Sequence, residues 1–178
     1  MRRKIVKVVL IVMCFGITAC AHYHRIELSQ KRFYPKKPKF TIIPNGKFEN
    51  VGIDFNAIYY KKYERLLNNK KHVTYNYYRF WSNGRVLYRS IGKDPYREEA
   101  EDFTEAVIGY YRVDGQYLIM EFFSFDYVAL HWDYVRVHAI LKKDIIRTTH
   151  SEIRGEIEGR PSSFIKRSFA ELNRQPDW

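Results

Sequence analysis

Cysteine is scarce in this chain of 178 residues: there are two, Cys14 and Cys20, both near the amino terminus. No intramolecular disulfide can therefore staple residues 21–178, and a domain built from them must be held by its core. Long apolar runs are missing too. Residues 8–15 form the main one, far short of the roughly 20 residues that span a bilayer comfortably. The sequence carries no Gly-X-Ser-X-Gly elbow, no phosphate-binding Gly-Lys-Ser/Thr loop and no His-Glu-X-X-His pair, so the common nucleophile, nucleotide and zinc-hydrolase signatures are absent. His131, His138 and His150 have no convincing ligand spacing. No enzymatic activity, cofactor or metal is expected.

Acid is what the amino-terminal part lacks. Residues 1–39 hold ten Lys and Arg against one acid, Glu27. Of the chain's 31 basic and 20 acidic residues, that leaves 21 and 19 in residues 40–178, a net of +2. The alkaline character belongs to the leading segment, which argues against nucleic acid as a partner because a binding domain would carry a basic face.

That leading segment has internal order. Arg2, Arg3, Lys4 and Lys7 precede the apolar residues 8–15, and small residues precede Cys20, which is the layout of a secretory signal. Ile17-Thr18-Ala19-Cys20 resembles the lipobox of bacterial lipoproteins. The resemblance implies cleavage before Cys20, a diacylglycerol on its sulfur and acylation, commonly with palmitate, of the new amino terminus. Ala21, not Asp, follows the cysteine, which in Gram-negative members of that family implies the outer membrane. Two or more acyl signals anchor stably where one does not. Residues 1–19 thus read as signal peptide and 20–39 as lipid anchor and basic tether, with Pro35 and Pro38 favouring an extended linker. Residues 40–178 read as one domain.

From Phe40 the pattern becomes β, dense in aromatic and β-branched residues and punctuated by Asn83-Gly84 and Asp114-Gly115. Strands are expected over 52–60, 73–82, 85–91, 107–113, 116–125, 132–141, 144–150 and 163–170, with residues 61–71 as a loop. One helix is expected over 95–105, capped by Asp94 with Pro95 in its first turn. Its acids Glu98, Glu99, Glu101, Asp102 and Glu105 read as a solvated face. The expected fold is all-β: an antiparallel up-and-down meander closing into a small barrel of about eight strands, with one short helix between strands 3 and 4.

Two-residue turns would fix which residues share a face. Around Asp114-Gly115 the uncharged set is Val107, Gly109, Tyr111, Val113, Gln116, Leu118, Met120 and Phe122, expected to point inward. Around Asn83-Gly84 the set Val73, Tyr75, Tyr77, Arg79, Trp81, Val86, Tyr88 and Ser90 is expected inward, since it carries only one charge and more apolar area. A buried Arg79 needs an acid, a carbonyl, aromatic faces or an anionic ligand. Either it receives the carboxylate of a ligand in an aromatic-lined cavity, or it stacks on Trp81 or tyrosine rings, or a local bulge turns it out to solvent. The candidate ligand-binding residues are accordingly Arg79, Tyr77, Trp81, Tyr88, Tyr111, Met120 and Phe122. Outward aromatics, expected to include Tyr78, Phe80, Tyr110, Tyr117 and Phe123, offer the alternative of an envelope-protein interaction module with a packed barrel.

The runs Tyr-Tyr-Arg-Phe-Trp-Ser-Asn-Gly at 77–84 and Gly-Tyr-Tyr-Arg-Val-Asp-Gly at 109–115, behind a lipobox, resemble the small lipocalin-like (calycin) lipoproteins of bacteria. The resemblance covers about residues 48–170 and lacks the Gly-X-Trp opening of true lipocalins. It implies a membrane-anchored barrel that binds a small hydrophobic molecule.

Overall fold

The structure, a computed structural model, describes residues 23–26, 32–35, 39–42, 44, 52–126 and 131–178. The expected signal segment and the lipid acceptor Cys20 lie outside the described residues. Within the expected tether, β1 (Tyr23–Ile26) and β2 (Arg32–Pro35) pair antiparallel, Tyr23 opposite Pro35. Part of that tether is therefore a hairpin.

The remaining strands are β3 (Ala57–Leu67), β4 (Lys70–Phe80), β5 (Arg85–Ile91), β6 (Val107–Asp114), β7 (Tyr117–Asp126), β8 (His131–Lys142), β9 (Ile145–Ile153), β10 (Glu156–Glu158) and β11 (Ser162–Ser168). Eight of them run around a closed antiparallel barrel in the order β3-β4-β5-β6-β7-β8-β9-β11, and β11 pairs back onto β3 with Ile165 opposite Tyr60. β10 is a short flap paired only with β9. The expected up-and-down barrel is the observed fold. Closure removes the exposed strand edges that an open sheet of this size would leave.

Turn chemistry explains where the details depart from expectation. The segment 61–71, expected as a loop, is a hairpin: Asn68 and Asn69 take φ of 51° and 60°, the left-handed pair of a type I′ turn, which asparagine tolerates better than most residues. At Asn83-Gly84 the turn is not the two-residue kind. Gly84 N–H donates to the Trp81 carbonyl (3.1 Å), Trp81 N–H to the Arg85 carbonyl (3.0 Å), and Gly84 alone is left-handed at 79°. That is a type I turn followed by a glycine bulge. The extra residue places Phe80, not Trp81, opposite Val86. A slip of one residue sends every side chain of a strand to the other face, so Tyr78 and Phe80 point inward while Tyr77, Arg79 and Trp81 point outward. At the β6–β7 turn the closing pair is Asp114 opposite Tyr117. This is a shift of two positions along the pairing, so the expected inward set there is the observed one except for Gln116, which the shift leaves exposed in the turn.

Two cores result, one on each side of the β4–β5 wall. The lumen holds Tyr59, Tyr78, Phe80, Val86, Tyr111, Leu118, Met120, Phe122, Ile146 and Phe164. Outside the wall, Tyr77, Trp81, Ile58 and Leu87 are covered by Ala100, Phe103, Ala106 and Leu172. The cover is α1 (Arg97–Glu101), the one helix among the described residues, together with the carboxyl-terminal segment 169–178. The helix is shorter than expected and its N-cap is Tyr96, whose N–H donates to Glu99 (2.9 Å). Asp94 instead grips Arg167 (2.6 Å). Of its acids, Glu99 is buried and Glu101 accepts the Asn173 N–H, so these two do not form a solvated face.

Candidate functional site

The barrel is filled at one end and open at the other. At the filled end Phe80 meets Tyr111 edge-on (5.1 Å) and Tyr59 likewise (5.8 Å). The Tyr111 hydroxyl donates to the Trp81 carbonyl (2.9 Å), and the Tyr59 hydroxyl accepts the Asp54 N–H (3.0 Å). Both phenols are thus built into the turns that close this end. Gly109 belongs to the same wall: a Cβ there would lie 2.1 Å from the Glu121 carbonyl oxygen and 2.9 Å from the Phe122 ring. Only glycine allows β6 to approach β7 this closely.

Above this plug the lumen opens. Tyr78 forms its floor, 4.7 Å from the Phe164 ring, 5.2 Å from Tyr88 and 6.0 Å from Phe122. A cavity of about 230 Å³ is bounded by Tyr78, Tyr88, Val107, Phe122, Val135 and Val137, with Ser124 and Ser151 at its edge. A second, of about 170 Å³, shares Tyr78, Tyr88, Val137 and Ser151 and continues past Asn76, Thr148 and Ser162 to Tyr63 and Arg160. Together they make a tyrosine-floored, valine-walled recess with a polar rim. Lys61 stands at that rim, donating to the Tyr63 hydroxyl (2.9 Å) and to Ser162 Oγ (2.8 Å).

Polar groups in the recess are incompletely matched. Asn76 Oδ1 is buried without a hydrogen-bond partner among the described residues. Burial raises the Tyr78 phenol far above its ordinary value and pushes Tyr88 up to about 12. Both hydroxyls therefore stay protonated at physiological pH and remain available as donors. An unpaired buried acceptor beside neutral phenols is costly unless something polar completes it.

Of the residues singled out from sequence, Tyr88 and Phe122 line this recess, while Tyr111 and Met120 lie in the packed half beneath it. Tyr77, Arg79 and Trp81 are outside the lumen altogether, contrary to expectation, because of the one-residue bulge at Gly84. Arg79 is 1% exposed. Its Nη1 donates to the Ala100 carbonyl and its Nη2 to the Arg174 carbonyl, both at 2.8 Å. Its guanidinium lies 4.6 Å from the Trp81 ring. Burial lowers its pKa to about 10, so it stays charged. Carbonyls and an aromatic face, not a ligand carboxylate, meet the terminal nitrogens of the buried cation, while its Nε is buried without a hydrogen-bond partner among the described residues. The Tyr77 hydroxyl likewise donates to the Glu99 carbonyl (2.5 Å).

Asn76, Val137, Ser151 and Phe164 were missed because each comes from a strand whose face is set by pairing across the barrel, not by its own composition. The outer aromatics are also rearranged. Phe123 is buried against Trp132 (5.4 Å), and Tyr110 meets Phe40 edge-on (4.9 Å). Phe40 belongs to an outer segment pinned by a buried carboxylate: Glu121 accepts Thr41 N–H (2.5 Å), Ile42 N–H (3.0 Å) and Thr41 Oγ1 (3.0 Å). Comparison with protein-family models, curated proteins and solved structures finds no match.

Proposed function

We propose that this chain is a bacterial envelope lipoprotein, anchored by lipid on Cys20, whose barrel binds a small, mostly apolar molecule in the open half of its lumen. The observation that carries the reading is the recess above Tyr78: apolar walls, two protonated phenols and a buried Asn76 side-chain oxygen, Oδ1, without a partner among the described residues. Apolar burial would supply affinity, and the few polar groups would orient the guest. A donor on the ligand, a hydroxyl or an amide N–H, answers Asn76. An anionic end, if there is one, meets Arg160 at the mouth rather than Arg79. The larger cavity, about 230 Å³, lies below the roughly 300–1,000 Å³ of drug-sized sites. Short amphiphiles or small aromatic molecules suit it better than a full-length acyl chain.

Native mass spectrometry of the Cys20→Ser chain, followed by organic extraction of whatever co-purifies, tests the binding. A stoichiometric apolar mass that disappears in Val137→Trp, with the barrel's circular dichroism unchanged, supports the reading. A bare protein mass that persists after incubation with envelope extracts overturns it. For the anchor, radioactive palmitate should label the native chain and not Cys20→Ser.

A further inference from the structure

At the open end, β3 and β4 run on beyond the barrel. β11 pairs with β3 no further than Tyr60, and β5 pairs with β4 no further than Tyr75. The two strands continue as a lone ribbon to the Asn68-Asn69 turn. Every residue from 62 to 72 is exposed. Two-stranded ribbons are marginal in water, and large side chains at their tips are poorly sheltered. Yet this tip carries Leu66, 75% exposed, and Leu67, 39% exposed.

The charges around these leucines have one dominant sign. Residues 62–72 include Lys62, Arg65, Lys70 and Lys71 against one acid, Glu64. Glu64 is shared by Lys62 (2.6 Å) and Lys71 (2.8 Å), while Arg65 and Lys70 have no ion-pair partner among the described residues. Leu66 stands opposite Lys71 and Leu67 opposite Lys70. Each leucine is thereby flanked by a flexible cationic side chain whose stem can lie along apolar surface while its head reaches water or phosphate. Ile157 on β10 is also exposed near this end, but between Glu156 and Glu158, and it does not share the cationic setting.

We propose that the β3–β4 ribbon tip is a docking finger for an anionic lipid surface. Leu66 and Leu67 enter the boundary between head groups and acyl chains, and Arg65 and Lys70, the two cations without an ion-pair partner among the described residues, engage lipid phosphates. Apolar area plus attraction to anionic lipid is the combination that holds proteins at a membrane interface. Docking by this tip turns the mouth of the lumen toward the lipid, since recess and ribbon share one end of the barrel. The proposal does not depend on the recess being occupied.

The test places an environment-sensitive fluorophore on a single cysteine in the full chain, with Cys14→Ser and Cys20→Ser removing the native thiols. Leu67→Cys reports the tip, and Gln116→Cys reports the opposite end. Each chain is bound to vesicles of equimolar phosphatidylglycerol and phosphatidylcholine, or of phosphatidylcholine alone, containing nitroxide-labelled lipid. The local readout separates the tip from any association through the amino-terminal segment. The tip label should be quenched on the anionic vesicles and the Gln116→Cys label should not. Leu66→Asp should abolish the quenching without moving the unfolding midpoint, and each of Arg65→Glu and Lys70→Glu should weaken it by about fivefold or more. A tip label quenched no more than the Gln116→Cys label, or equally on both kinds of vesicle, overturns the proposal. The first of these outcomes would redirect the finger to an acidic protein surface.

Discussion

Replacing Arg79 by alanine separates a structural cation from a ligand-binding one. In the fold Arg79 bonds the carbonyls of Ala100 and Arg174, tying α1 and the carboxyl-terminal segment to the outside of β4. The Arg174 carbonyl also accepts Trp81 Nε1–H (3.1 Å), so it keeps a partner after the substitution, whereas the Ala100 carbonyl loses its side-chain donor. A hydrogen bond from a charged donor contributes about 1.5–3 kcal/mol, and a desolvated cation over an aromatic ring about 2 kcal/mol. The relief of returning a buried charge to water cancels part of this. A net destabilisation of about 3 kcal/mol follows. Urea unfolding followed by tryptophan fluorescence measures it directly, because Trp81 and Trp178, 5.4 Å apart, report the same outer core. Any molecule found in the lumen should still bind below the unfolding transition. A stability loss under about 1 kcal/mol, or loss of the lumenal guest with stability intact, would refute the placement of Arg79 outside the barrel.

Three further outcomes follow from the packing. Gly109→Ala drives a methyl into the Glu121 carbonyl and should cost about 2 kcal/mol through forced separation of β6 and β7, measured as a lower urea midpoint. Glu121→Ala leaves the Thr41 and Ile42 amides without their acceptor, and hydrogen exchange at those two amides should accelerate by about tenfold or more while the barrel core keeps its protection. The third concerns acid. The Asn173 N–H is the main cause that holds the Glu101 carboxyl below its ordinary value of 4.5, with the Arg174 N–H and nearby guanidinium groups assisting against partial burial. A carboxyl depressed in the folded state stabilises above its unfolded pKa and loses that contribution as pH falls through the folded one. The carboxyl-terminal segment should therefore loosen below about pH 4.5, and Glu101→Gln should flatten this dependence in the fluorescence of Trp178.

Legibility from sequence varied with how local the deciding interaction is. The β6–β7 faces were readable because an error of two positions in pairing leaves them unchanged, and the uncharged set from Val107 to Phe122 marked the core side unaided. The β4 face was not. Its apolar content is nearly balanced between Tyr77, Trp81 and Tyr78, Phe80, and a single bulged glycine outweighed that small difference. Both sets are buried, which composition alone cannot assign to two separate cores. The β3–β4 ribbon was missed for a related reason: Asn68-Asn69 lacks the glycine that makes a hairpin turn conspicuous, and its strands carry charges on both faces because no core covers them.

From the sequence alone come the all-β class, the approximate strand count, the helix between the third and fourth barrel strands, and the concentration of positive charge before residue 40. These follow from periodicity, turn residues and composition, which act within a few neighbours along the chain. The tertiary structure decided how the barrel closes, with Ile165 opposite Tyr60, and which half of the lumen stays open. It also placed the carboxyl-terminal segment over Arg79, converting a lumenal cation on paper into the tie of an outer core. Those outcomes depend on strand register and on contacts between residues up to about a hundred positions apart, 95 in the case of Arg79 and Arg174. Free energy at that range is set by packing and hydrogen-bond satisfaction, which no local pattern encodes.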